Sequence, residues 1–467
     1  MKIRKKILII LIIISTFINT IIYSNPVQAE IANTSGSTTQ ASTESTSGNQ
    51  QPLAKASTVP EPNFTIYSEG AVLIDANTGA ILYGKSENEK LYPASTTKII
   101  TAIIAIENCK LTDKITASYN AVMSIPVGYS NAAIQPGETL TVQELLDMFL
   151  IQSANEVGYI FAEHISGSIE NFATLMNQKA TSLGCKNTHF TNPSGIHDSE
   201  HYSTAYDMAL IARYCMKNET FRNTESKTSC TIEATDKYEQ RYFRNTNDLL
   251  NPSSKYYYEN AIGTKTGYTS QAKRCLIATS LKDNLELITV TLGAEPSIPD
   301  RRYEDTINLF EYGYSNYKTQ RIATKGSIAQ EITIENATKD TKNLSLLVKD
   351  DITGIVPANL KLSDLNPSIK LNDLISAPIE EGTVLGKITY NVGDFEYSTD
   401  LIASHSVEEF DVKTMLLQIA LALLVLFILA KLILPKKKSK KKNYKNSNTK
   451  KRKNYQNKKS YDSIYKF

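Results

Sequence analysis

A chain of 467 residues has room for two or three domains and a sizeable buried core, and its formal net charge of +3 hides a segregated distribution. Lys2, Arg4, Lys5 and Lys6 open it, 14 Lys or Arg follow Pro435 against Asp462 alone, and the body between is acidic, which argues against nucleic-acid binding and reads as topology signals flanking apolar segments. Five cysteines without a C-x-x-C pair, and no histidine at zinc-ligand spacing, exclude a recognisable metal site and read as small apolar core residues.

Residues 1–29 have a basic start, an apolar run from Ile7 to Ile22 and Val27-Gln28-Ala29 before Glu30. That pattern predicts a secretory signal peptide; an uncleaved anchor is the alternative and leaves the next domain on the same outer side. Residues 30–63 read as a disordered tether, since ten residues between Thr34 and Ser47 are Ser or Thr and offer too little apolar surface to offset ordering.

Residues 64–320 read as an α+β domain. Ala71 to Asp75 and Ala80 to Gly84 flank Asn77-Thr78-Gly79, a hairpin turn that needs a positive φ. Pro93-Ala94-Ser95 starts a predicted helix that runs to about Asn108, and Glu138 to Ile151 reads as another, with Leu145, Leu146, Phe149 and Leu150 at helical spacing. After Gly263 the β signal returns, Cys275 to Ser280 pairing with Leu285 to Leu292 across Lys282-Asp283-Asn284. A helical end at Leu309 to Tyr314 follows, then residues 321–405, where short apolar runs broken by Asn, Asp and Gly predict a small separate β domain.

Residues 413–434 are predicted to span a membrane, because from Met415 to Leu434 the strongly polar members are Gln418 and Lys431 alone. The Lys-rich tail 435–467 then reads as the cytoplasmic flank, which places the body on the outer side in a single-pass arrangement. The tail is either a bare topology signal or an arm for anionic lipid.

Ser95-Thr96-Thr97-Lys98 sits at a helix start, where three residues bring hydroxyl and amine onto one face. A serine hydroxyl is a poor nucleophile until a base takes its proton, and a lysine serves only when its pKa is depressed. Two further S-x-x-K matches, Ser315 with Lys318 and Ser439 with Lys442, show that this pattern alone is weak. Ser153-Ala154-Asn155 follows a helical stretch and offers a hydroxyl and an amide, whereas Ser47-Gly48-Asn49 and Ser118-Tyr119-Asn120 lack that context. Lys265-Thr266-Gly267 occurs once, ahead of Tyr268, and on a strand puts a cation beside a spot with no side chain; the default reading of a bare K-T-G is a solvated Lys before an ordinary strand glycine.

The order S-x-x-K, S-x-N, K-T-G resembles the signature of penicillin-binding proteins and serine β-lactamases. Pro93 to Lys98, Asn192-Pro193-Ser194-Gly195, Ser203 to Ala209 and Lys265 to Thr269 together resemble the low-molecular-mass serine-type D-alanyl-D-alanine carboxypeptidases. The resemblance implies a β-lactamase/transpeptidase-like catalytic domain, an antiparallel sheet with a helical subdomain, followed by the small β domain. Its implied roles are Ser95 as acylated nucleophile, Lys98 as base, Ser153 and Asn155 as a second wall, and Lys265, Thr266, Gly267 and Tyr268 as a third, with Arg302 helping to hold the substrate carboxylate. Ser95 and Tyr268 would give oxyanion N–H groups. Ser194 departs from the family, where His is common, and Arg302 also suits a surface ion pair.

The implied partners are a peptidoglycan stem peptide ending in D-Ala-D-Ala, β-lactams as acylating inhibitors and, through the C-terminal helix, the membrane; no cofactor, metal or nucleic acid is implied. A β-lactamase is the rival reading, but no E-x-x-L-N lies between Asn155 and Lys265. A non-catalytic wall-binding protein would lack the nucleophile or its base, and endopeptidase action uses the same residues. None of the five histidines reads as catalytic; His197 and His201 read as loop hydrogen bonding and Asp207 as structural.

Overall fold

The computed structural model describes residues 59–433, so the expected signal peptide, nearly all of the tether and the basic tail lie outside the described residues. Strand β1 (Gly70–Asp75) is buried throughout and turns back into β2 (Ile81–Lys85). Gly79 takes φ +81° in that turn, and the Asp75 carboxylate accepts from the Thr78 N–H at 2.8 Å and its hydroxyl at 2.6 Å. The five longer helices that follow are α1 (Lys98–Asn108), α2 (Val142–Leu150), α3 (Asn155–Ser166), α4 (Ile169–Ser182) and α5 (Ala205–Met216), with two short ones, Tyr119–Met123 and Glu219–Glu225, besides. The chain then returns through β3 (Ala261–Gly263), β4 (Thr266–Thr269), β5 (Lys273–Lys282) and β6 (Leu285–Ala294) to α6 (Arg301–Asn316).

The sheet order is β2-β1-β6-β5, with β3 and β4 both paired antiparallel to the outer side of β5. The β5–β6 turn is two residues, Asp283 and Asn284, both at positive φ, as the right-handed twist of a tight hairpin demands. Alternation along the strands covers both faces. Val72, Ile74, Ile277 and Val290 face the core shared with α1 to α5, while Ala71, Leu73, Leu276 and Leu287 face Tyr303, Leu309 and Phe310 of α6. Sheet and helical subdomain thus agree with the α+β expectation.

The helix expected from Glu138 begins only at Val142. Thr139–Thr141 is instead a short strand paired with Lys114–Thr116, and Thr141 caps α2 through a capping box with Glu144. Glu138 is drawn out of the helix because its buried carboxylate pairs with Arg241.

A second apolar core begins at Ile322, under a five-stranded antiparallel sheet ordered Ile328–Thr333, Asn343–Val348, Phe395–Ala403, Val384–Val392, Ser368–Leu371. The strand Tyr317–Ala323 leads into it directly from α6, ahead of residue 321, and pairs with Ile352–Pro357. The described chain ends in α7 (Val412–Ile433), of which Val412–Leu432 has a mean hydropathy of 2.6 and no buried share, long and apolar enough to cross a membrane.

Candidate active site

The loop before α1 tightens into a 3₁₀ turn, Ala94–Thr97, in which Thr96 donates to the Pro93 carbonyl from its N–H at 3.2 Å and its hydroxyl at 2.6 Å. Ala94 enters at φ +50°, a conformation that a non-glycine residue holds only where its surroundings over-determine it. Ser95 is left half-buried at the turn and Lys98 becomes the first residue of α1, with no exposed surface. The Lys98 Nζ donates at 2.8 Å to each of Ser95 Oγ, Asn155 Oδ1 and the Ser194 carbonyl. Burial, and next the Lys265 cation, hold Lys98 well below the usual lysine range, against the pull of the Glu156 carboxylate. A lysine so placed is able to take a hydroxyl proton.

Ser153, at φ +66°, and Asn155, the first residue of α3, come from the turn between α2 and α3. Besides accepting from Lys98, Asn155 donates from Nδ2 to the Ser130 carbonyl at 2.8 Å. Ser194 serves twice: its carbonyl receives Lys98, and its hydroxyl donates to the Asn155 carbonyl at 2.8 Å. Asn192 shapes that loop by accepting from the N–H groups of Ser194, Gly195 and Ile196 at 3.2, 2.8 and 3.1 Å. A Cβ on Gly195 would stand 1.8 Å from the Ala94 carbonyl, so the loop lies directly against the Ser95 turn. These bonds give Asn192 to Gly195 a shared local cause.

Strand β4 forms the opposite wall. Thr266 shares a hydroxyl hydrogen bond with Thr246 at 2.7 Å, and Tyr268 is exposed. Lys265 is buried behind the strand; burial lowers it to about 8, Glu225 drawing it up and Arg302 down. Arg302, near the start of α6, is paired through Nε and Nη2 with Asp300, both at 3.2 Å, and Arg274 meets the same carboxylate at 2.8 Å. Arg302 is thus both a cavity residue and one member of an ion-pair cluster.

The walls enclose a cavity of about 490 Å³ lined by Ser95, Ser153, Asn155, Thr266, Gly267, Tyr268 and Arg302, with Tyr129, Ser130 and Thr246 among residues that motif spacing did not single out. Lys98 and Lys265 stand behind this lining. The decoy motifs go elsewhere: the Ser118 hydroxyl caps a short helix, and Lys318 reaches the Leu360 carbonyl. Ser47 and Ser439 lie outside the described residues. His201, lowered by burial to about 3, stays neutral between the Thr97 hydroxyl at 2.8 Å and the Thr191 N–H at 3.0 Å. Asp207 accepts from Lys186, Asn187 and Thr188 and ties the loop before α5. The five thiols are all free.

Comparison with known proteins identifies the family. A family profile described as D-alanyl-D-alanine carboxypeptidase matches residues 55–296, and one described as the C-terminal domain of penicillin-binding protein 5 matches residues 317–409. The chain is 36% identical over 327 residues to the D-alanyl-D-alanine carboxypeptidase DacF of Bacillus subtilis, covering 69% of this chain and 80% of that one. It is 30% identical over 341 residues to DacA of Haemophilus influenzae, covering 72% and 83%. Among solved structures, penicillin-binding protein 5 of Haemophilus influenzae superposes with a TM-score of 0.62 at 27% identity, over 75% of this chain and all of that one.

Proposed function

Because the chain belongs to the D-alanyl-D-alanine carboxypeptidase family, we propose that the cavity beside Ser95 is where it performs that family's hydrolysis. The enzyme removes the terminal D-Ala of a peptide ending in D-Ala-D-Ala. In the proposed sequence Ser95 Oγ attacks the penultimate carbonyl while its proton passes to Lys98. The N–H groups of Ser95 and Tyr268 receive the oxyanion, each such donor contributing about 3 kcal/mol in the transition state. The proton then reaches the leaving D-Ala amine, with Ser153 between, and water hydrolyses the ester on Ser95.

Lys265, Thr266 and Arg302 hold the terminal carboxylate, and Asn155 fixes both Lys98 and the substrate amide. β-Lactams enter the same path and stop at the acyl-enzyme. The observation that carries this reading is the buried, depressed Lys98 within 2.8 Å of Ser95 Oγ.

In this reading helix α7 anchors the enzyme in the membrane, and the Lys-rich sequence after it supports an orientation with the cavity outside the cell. Incubation with a stem pentapeptide tests the reaction: free D-Ala and a tetrapeptide are expected. Intact pentapeptide with rapid penicillin turnover overturns it in favour of a β-lactamase.

A further inference from the structure

Glu225 closes the short helix Glu219–Glu225 with no exposed surface, and neither of its carboxylate oxygens has a hydrogen-bond partner among the described residues. It packs beneath the bend between β3 and β4: a Cβ on Gly263, at φ +135°, would stand 3.2 Å from the Glu225 Cβ, two residues before Lys265. The Lys265 Nζ, equally buried, has one polar contact, the Thr266 carbonyl at 3.3 Å. Among the described residues no direct ion pair joins the two groups, yet Glu225 is the carboxylate that acts on Lys265 and Lys265 the cation that acts on Glu225.

We propose that Glu225 is a positioning residue for this reaction: its carboxylate is the buried counter-charge that keeps Lys265 an ammonium at the cavity wall, and through Lys265 keeps Lys98 a free amine. The inference rests on the roles proposed above for Lys265 and Lys98.

The groups around the three residues define the circuit. The charges of Glu225 and Lys265 act on each other, Glu225 also acts on Cys215 and Arg302 on Lys265, while Lys98 feels Lys265 and Glu156 and in turn acts on His201. Burial raises Glu225 and lowers Lys265, and each draws the other back toward its charged form. Without the carboxylate, Lys265 keeps only Arg302 and burial acting on it, and both expel its proton. A neutral Lys265 no longer repels a proton from Lys98. The two changes act on opposite limbs of the pH profile, since the reaction needs Lys265 charged and Lys98 neutral.

The test uses the full chain in detergent, with the rate of acylation by fluorescent penicillin measured from acid to alkaline pH for wild type, Glu225→Gln and Glu225→Asp. An opposing charge at this range shifts a pKa by about one unit or more. Glu225→Gln is therefore expected to pull the alkaline limb down by about one pH unit and push the acid limb up, so that the profile narrows from both sides. KM for a stem pentapeptide rises more than kcat falls, and Glu225→Asp restores both limbs. Limbs that stay at wild-type pH while the rate drops uniformly make Glu225 merely structural and overturn the inference.

Lys265→Arg keeps the test decisive if Glu225→Gln does not fold, because a guanidinium does not titrate in this range. It must abolish the alkaline limb, and a limb persisting near wild-type pH overturns the inference. Failure of the wider site reading looks different: Ser95→Ala protein would still take up the label.

Discussion

A Cβ built on Gly267 would stand 3.1 Å from the backbone nitrogen of Ser95 and 3.1 Å from the Pro93 carbonyl. The β4 backbone and the turn that carries Ser95 are therefore in contact, and the third wall has no space for a side chain at that point. Gly267→Ala should displace the wall by a few tenths of an ångström or more and slow penicillin acylation by roughly 10²-fold, the usual effect of misplaced reacting groups. The melting temperature should change little. Acylation at the wild-type rate would show that the contact does not matter to the chemistry.

Lys98 is buried among Ser95, Asn155 and Ser194 and carries a cost of desolvation that an apolar residue of similar shape would not. Lys98→Met should therefore melt at or above the wild-type temperature while acylation falls by about 10²- to 10⁴-fold, the span of a lost general base. Rapid labelling of that variant would remove Lys98 from its proposed role.

Ser194 stands where the family often carries His, and its surroundings explain why the smaller residue fits: a Cβ on Gly158 would already stand 2.6 Å from its hydroxyl oxygen. Ser194→Ala removes the donor to the Asn155 carbonyl but keeps the carbonyl that receives Lys98. Stability should fall by about 1 kcal/mol in denaturant titration, with labelling retained within about tenfold. A complete loss of labelling would mean that the hydroxyl, not the main chain, matters there.

The wild-type pH profile of acylation follows from two depressed lysines acting in opposite protonation states. Lys98 must be neutral, so activity is lost as pH falls through its value, which lies well below the ordinary 10.5. Lys265 must be charged, so activity is lost as pH rises through about 8. A rate that climbs steadily through pH 10 would contradict the assignment of Lys265.

Much of this site was legible in the sequence because its chemistry is carried by local spacing. S-x-x-K on one helical turn, S-x-N at a helix start and K-T-G on a strand each announce a side-chain direction, and the cavity brings all three together. The β1–β2 and β5–β6 hairpins were legible for a similar reason, since a positive-φ turn between apolar strands is a local signal.

What escaped depends on tertiary contact. Ser130 and Thr246 reach the cavity from loops with no motif of their own, and Glu225 becomes relevant only because the chain returns over it at Gly263. The start of α2 was misplaced through attention to apolar periodicity, although Thr141-Val142-Gln143-Glu144 already spelled a capping box. Glu138 was pulled out of that helix by Arg241, a partner about a hundred residues away that no local pattern reveals.

Helix α7 leads to a prediction about solubility. A chain ended after Glu409 lacks the whole apolar span and should stay in solution without detergent while still labelling with penicillin, whereas the full chain should partition with membranes. Equal partitioning of the two would argue against an anchor.

The most direct test of the central claim is mass spectrometry of the protein after reaction with penicillin. The account predicts a penicilloyl adduct confined to the peptide that carries Ser95, and none on Ser95→Ala protein. An adduct on any other residue, or undiminished labelling of the Ser95→Ala protein, would contradict it.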